Sequence, residues 1–197
     1  TPKLATNHPN WKMGKKISTD SATLMNKVFE VIEAKKIFNL DLKKFNILIH
    51  PKSYVHAIVK FKNGLISLVA HDTDMKIPIY NSIYYNDAIK HKSKKINISL
   101  LNDLNLFSVD RKKYPLINVL KMVPKKDTLF ETLLVAINDE LVNLFLSNKI
   151  KFDDISVKLK QIIQNKKFLK YRQKKLQNLT QIEKLNEFVR LKTKSLS

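Results

Sequence analysis

The chain has 197 residues, 44% of them hydrophobic and none of them cysteine, and its 37 basic against 17 acidic side chains give a net charge of +20. That length and apolar content suit one or two packed domains and exclude a disordered polypeptide, while the lack of cysteine excludes disulfides, thiolate metal sites and cysteine nucleophiles and fits a reducing compartment. No apolar run approaches the ~18 to 20 residues that span a bilayer, and no signal peptide opens the sequence, so a soluble cytoplasmic protein with no membrane partner is expected.

His8-Pro9, Trp11 and Gly14 together read as a loop. Ser18, Thr19 and Asp20 are all good N-caps, and Leu24, Met25, Val28, Phe29 and Ile32 keep a helical period, which predicts a helix starting near Asp20. Its first turn would hold the Ser21 hydroxyl among N–H groups lacking an intrahelical partner, with Asn26 and Lys27 within two turns. Donors and dipole together favour an anion, phosphate above all.

Asn26, Glu30 and Glu33 share one face of that helix, and carboxylates beside a phosphate invite a divalent cation. The same spacing equally suits surface acids paired with Lys27 or Lys36. The stretch 46–50 (NILIH) reads as a buried strand. Residues 55–61 alternate, with His56 among them, and reach Asn63-Gly64, a two-residue hairpin signal leading into 65–69.

Residues 84–105 are polar and rich in Lys and Asn, with 91–95 (HKSKK) as a solvated connection. From Tyr114-Pro115 onward the pattern is helical. A helix is expected over 127–146 with Asn148 as left-handed C-cap, another starts at Phe152-Asp153-Asp154-Ile155, and 158–175 forms an amphipathic helix burying Leu159, Ile162, Ile163, Phe168 and Leu169. Thr180 and Glu183 form a capping box for a last helix reaching Arg190. The expected fold class is therefore α+β. A partial catalytic α/β domain with a β-hairpin (1–83) precedes a linker (84–113) and a C-terminal helical bundle (114–197).

The string HPNWKMGKKISTDSATLMNK followed by EVIEA resembles the central catalytic segment of the 1-deoxy-D-xylulose 5-phosphate reductoisomerase family. IHPKSYVHAIVKFKNG is similar to the family's IHPQS-like stretch with its second histidine, DTDMKIPI stands where the family has PDMR-x-PI, and LVAINDELVNLFL with KIKFDDI resembles its NAANE-type helix and continuation.

The resemblance implies NADPH-dependent rearrangement and reduction of 1-deoxy-D-xylulose 5-phosphate to 2-C-methyl-D-erythritol 4-phosphate in isoprenoid synthesis. It implies a metal cofactor as well, Mg²⁺ or Mn²⁺ with Co²⁺ as an alternative. Phosphate binding is implied for Ser21, Asn26 and Lys27, and metal binding for Glu30. His8 and Trp11 would belong to a mobile loop closing over the sugar phosphate, His56 would be the second histidine of the motif, and Gly14 and Met75 would lie near the cofactor. A homodimer is implied as well.

Thr73 in place of Pro and Lys76 in place of Arg depart from the family near the nicotinamide, and Ile137, Asp139 and Glu140 alter the NAANE-like helix. Gly14 and Gly64 are the only glycines and cannot build a Gly-rich nucleotide loop, and nothing matches the family's N-terminal domain or its acidic pair. The chain is thus expected to be a C-terminal fragment, inactive alone. Two alternatives stand beside this reading, a basic nucleic-acid-binding protein and a non-catalytic phosphate-binding module. The excess of lysine over arginine and the lack of a helix-turn-helix or zinc-finger pattern weigh against nucleic acid as partner.

Overall fold

The computed structural model describes residues 1–84, 95 and 97–196. In chain order these form helices α1 (Pro2–Ala5), α2 (Lys15–Thr23) and α3 (Met25–Phe38), then strands β1 (Leu48–Ile49), β2 (Val55–Lys60) and β3 (Ile66–Ala70). Helices α4 (Lys76–Ile83) and α5 (Ile98–Asn102), strand β4 (Phe107–Ser108) and helices α6 (Phe130–Leu146), α7 (Phe152–Gln164), α8 (Lys166–Leu169) and α9 (Leu179–Leu196) follow. Short 3₁₀ segments occupy Leu42–Lys44, Pro115–Met122 and Lys170–Arg172. The α+β expectation holds, with helix dominant.

Two compact units divide the chain, and not at 83 and 114. One unit comprises Thr1–His8, Lys12–Asn46 and Asp110–Ser197, and the other Pro9–Trp11 and Ile47–Val109. Part of the expected linker is structured, since α5 and β4 lie within 84–113. The solvated connection expected at 91–95 falls outside the described residues apart from Lys95.

The first unit is organised around α6, whose Leu133, Leu134, Ile137, Leu141, Val142 and Phe145 are buried. It packs against α2, α7 and α9. Met25 and Val28 of α3, Ile155, Leu159 and Ile163 of α7 and Val189 of α9 complete this core, each excluded from water, at roughly 1.5–3 kcal/mol per large side chain. The helix expected over 158–175 is broken at Asn165, whose extended backbone ends α7 and whose side chain accepts from Lys167 N to start α8. Phe168 is buried as expected, but Leu169 faces solvent.

In the second unit β2 and β3 pair antiparallel, with Val59 opposite Ser67 and an irregularity between Val55 and Ala57. The turn closes through Phe61 N to Leu65 O (2.9 Å) and needs Gly64, whose φ of 90° only glycine adopts without strain. The expected alternation is present in sequence, but nearly all of β2 and β3 is exposed, Ile58 and Val59 alike. The strand expected at 46–50 shrinks to the two residues of β1, paired antiparallel with β4, and Leu48 is exposed, so it is not a buried strand.

Candidate functional site

The helix expected to start at Asp20 starts five residues earlier. Gly14 caps it in extended backbone, and Ser18, Thr19 and Asp20 are buried in its interior. None of them caps the helix: Thr19 Oγ1 donates to Lys15 O (2.9 Å), Asp20 meets Lys16 and Asn138, and Ser18 Oγ is buried without a hydrogen-bond partner. Ser21 is therefore in the last turn of α2, not in a first turn.

A helix N-terminus still arises beside Ser21, because the chain breaks at Leu24. That residue adopts left-handed backbone (φ 58°), its N–H bonding to Ser21 O at 3.1 Å, and α3 begins at Met25. Asn26 and Lys27 thus occupy the first turn of α3, where N–H groups have no carbonyl four residues back in the same helix. Asn26 Nδ2 donates to Ser21 Oγ (3.3 Å), so the break folds the hydroxyl and the amide onto each other. Asn26 Oδ1 is buried without a hydrogen-bond partner in the structure. The helix N-terminus that carries Asn26 and Lys27 is therefore that of α3, one helix later than the sequence suggests.

Lys27 Nζ lies 2.8 Å from Glu30 Oε2 and 3.0 Å from Oε1. With side-chain exposures of 38% and 52%, this pair contributes at most about 1 kcal/mol, so an incoming phosphate could draw the ammonium away cheaply. Glu33 is exposed on the same helix, and Lys36 pairs with Asp127 and Glu131. Among the described residues no three His, Asp or Glu side chains come together as a metal cage. Glu30 offers one carboxylate, one of the several oxygen ligands that a divalent ion takes.

Behind Ser21 lies an ion network that the sequence reading missed. Asp20, 3% exposed, accepts from Asn138 Nδ2 (2.9 Å) and pairs with Lys16 (2.7 Å), which also meets Asp139 (2.9 Å). Arg190 of α9 pairs with Asp139 at 2.6 Å and donates to Asn186 Oδ1. Burial pushes the Asp20 carboxyl above its usual range, and the hydrogen bonds from Asn138 and Lys16 pull it back without cancelling. Burial alone would lower Lys16, but the carboxylates of Asp20 and Asp139 outweigh it and hold its ammonium above the ordinary range. The signal in the sequence was the polar pair Asn138-Asp139 directly after the apolar run 133–137 of α6.

His8 belongs to this first unit, half-buried, and burial lowers its pKa, favouring a neutral imidazole. Gly14 is exposed with open space where a Cβ would stand, so nothing in the structure requires glycine there.

The second unit holds Trp11, His56 and Met75. Asn10 Nδ2 donates to Pro51 O (2.8 Å) and Ser53 Oγ (3.1 Å), tying down the segment that carries Trp11. The Trp11 indole meets the His56 ring edge to face at 5.9 Å between centroids, and His56 in turn stacks on His71 at 3.7 Å. Met75 precedes α4 and is half-exposed, while Asp74 Oδ1 accepts from Lys76 N at the helix start. Among the residues singled out in the sequence, Ser21 is in contact with Asn26, Lys27 with Glu30, and Trp11 with His56.

Residues 71–192 match the DXP reductoisomerase C-terminal domain, and residues 1–38 match the 1-deoxy-D-xylulose 5-phosphate reductoisomerase C-terminal domain. The 1-deoxy-D-xylulose 5-phosphate reductoisomerase of Pelagibacter ubique is 57% identical over 195 residues, 99% of this chain and 50% of that protein. That of Persephonella marina is 41% identical over 170 residues, 86% of this chain and 46% of that protein. A crystal structure of DOX-P reductoisomerase with NADPH, fosmidomycin and magnesium superposes with a TM-score of 0.89 at 29% identity, covering 100% of this chain and 49% of that one. The Zymomonas mobilis enzyme in complex with NADPH gives 0.85 at 28% identity, covering 100% of this chain and 49% of that one. The chain spans about half the length of the curated relatives it matches.

Proposed function

The chain belongs to the 1-deoxy-D-xylulose 5-phosphate reductoisomerase family, and from that premise we propose that it carries the phosphate-holding part of a site for NADPH-dependent rearrangement and reduction of 1-deoxy-D-xylulose 5-phosphate. The observation that carries the proposal is the break at Leu24, which sets the Ser21 hydroxyl against the first turn of α3 with Asn26 and Lys27. A hydroxyl, an amide, an ammonium and free main-chain N–H groups are donors that one phosphate can use together. Binding energy from this end of the substrate would support loop closure, and the covering-loop roles of His8 and of Trp11 rest on the family resemblance.

Glu30, released when Lys27 turns to the phosphate, would supply one carboxylate oxygen to a Mg²⁺ or Mn²⁺ ion. Such an ion, when bound, polarises a carbonyl and templates its substrate. The cofactor-side roles of Gly14 and of Met75 rest on the family resemblance alone, and His56 would hold Trp11 in place. The further assignments to a homodimer and to the cytoplasm rest on the family alone. Among the described residues no helix is long and apolar enough to cross a membrane.

Titration of the chain with inorganic phosphate tests this reading. Amide shifts should appear first at Asn26 and Lys27, and Lys27→Gln should weaken binding about tenfold, roughly 1.4 kcal/mol. Shifts scattered over the surface lysines, unchanged by that substitution, would remove the phosphate site.

A further inference from the structure

We propose that His71 is a positioning residue for Trp11 and acts through His56. The inference rests on the reading of Trp11 as part of the substrate-covering loop, and no role has been assigned to His71 above. All three residues lie in the same compact unit. The hairpin sets Val55 opposite Ala70, and His71 N bonds to Tyr54 O at 3.1 Å, so the residue just past β3 comes alongside the start of β2. The two imidazoles then stack with an interplanar angle of 18° and centroids 3.7 Å apart. Trp11 meets the His56 ring at 73°, an edge-to-face arrangement in which ring quadrupoles attract.

Both imidazoles are held by main chain. His56 Nε2 lies 3.0 Å from His71 O, and His71 Nδ1 lies 2.7 Å from Asp72 O. A carbonyl oxygen only accepts, so His56 must carry its proton on Nε2 and His71 on Nδ1. Neither ring can turn about its Cβ without losing a hydrogen bond, and the carbonyl that fixes His56 belongs to His71 itself. His71 therefore contributes twice, as a stacking face and as the acceptor that orients the next ring.

Trp11, by contrast, sits in a segment without helix or strand, anchored nearby through Asn10. A rigid ring pair beside a loop indole sets the resting pose from which that loop moves. It does so without His71 touching a ligand.

Trp11 is the only tryptophan, so fluorescence of the full chain excited on the long-wavelength side of tyrosine absorption, which leaves the six tyrosines dark, reads this residue. In His71→Ala the bimolecular rate constant for acrylamide quenching should rise about twofold and the emission should shift to the red, with His56→Ala giving the same change. His71→Phe keeps a stacking face and the main-chain carbonyl, and should return both readings to wild-type values. Far-UV circular dichroism and the amide shifts of Ile58 and Val59 verify that the hairpin persists in each variant.

Unchanged quenching and emission in a folded His71→Ala chain would overturn the proposal, and so would a folded His71→Phe chain that resembles His71→Ala. If alanine unfolds the hairpin, the phenylalanine variant still decides. Phosphate binding by the wild-type chain is read from different nuclei in α3, so the loop stack and the phosphate site can fail independently.

Discussion

Asp20 stands beside Ser21 almost wholly buried, and its ionisation is opposed by burial more than it is helped by Asn138 and Lys16. Between the unfolded carboxylate value of about 3.9 and the raised native value, the folded chain holds a proton that the unfolded chain has lost. Asp20 therefore adds stability as pH falls through that window, and the gain disappears as pH rises through the native value. Lys16 is also raised, so its contribution is fully present below about 10.4 and lost only above it. The advantage of wild type over Asp20→Asn in urea unfolding should accordingly be larger at pH 4 than at pH 7, and a difference that stays flat would contradict the account. Asp20→Ala should cost more than Asp20→Asn, by roughly 1–3 kcal/mol, because it leaves Asn138 Nδ2 buried without an acceptor.

Helix ends divide the elements that could be read locally from those that could not. Asn148 takes left-handed backbone (φ 57°) after α6, as its residue type and position suggest, and Lys149 N closes the turn on Leu144 O at 2.8 Å. Asn148→Ala should cost about 1 kcal/mol in denaturant unfolding while Asn148→Gly stays within a few tenths. Equal losses from both would mean that the asparagine side chain, not its backbone, matters.

The hairpin turn at Asn63-Gly64 was likewise legible, because turn chemistry is local. The start of α2 was not, since Thr19 and Asp20 use their oxygens on Lys15 O and Asn138 instead of capping. Nor was the cap of α9, where Asn178 Oδ1 accepts from Gln181 N and Gln181 Oε1 from Gln177 N, two residues before the expected Thr180–Glu183 box. Each miss is a case in which several residues fit a local rule and tertiary or neighbouring contacts selected among them.

At the scale of the whole chain, the residues around the α2–α3 break came from a long match to a family, while the spacing of Glu30 and Lys27 alone fitted a surface ion pair equally well. In the structure the two side chains are paired, as the ion-pair reading has it, on the helix whose first turn carries Asn26. The Asp20–Lys16–Asp139–Arg190 network was invisible because it joins α2, α6 and α9 across 118 residues at its Asp20–Asn138 contact. The two compact units interleave along the chain, since Pro9–Trp11 belongs with residues 47–109 and β4 pairs back with β1.

The most direct measurement joins this chain to the part of the Pelagibacter ubique reductoisomerase that it does not span and follows NADPH oxidation with 1-deoxy-D-xylulose 5-phosphate and Mg²⁺. The account predicts substrate- and metal-dependent turnover that falls by at least about 100-fold in Glu30→Gln, whose neutral amide is a poor metal ligand, while NADPH binding persists. A folded chimera that binds NADPH yet turns nothing over, or one indifferent to Glu30→Gln, would contradict it.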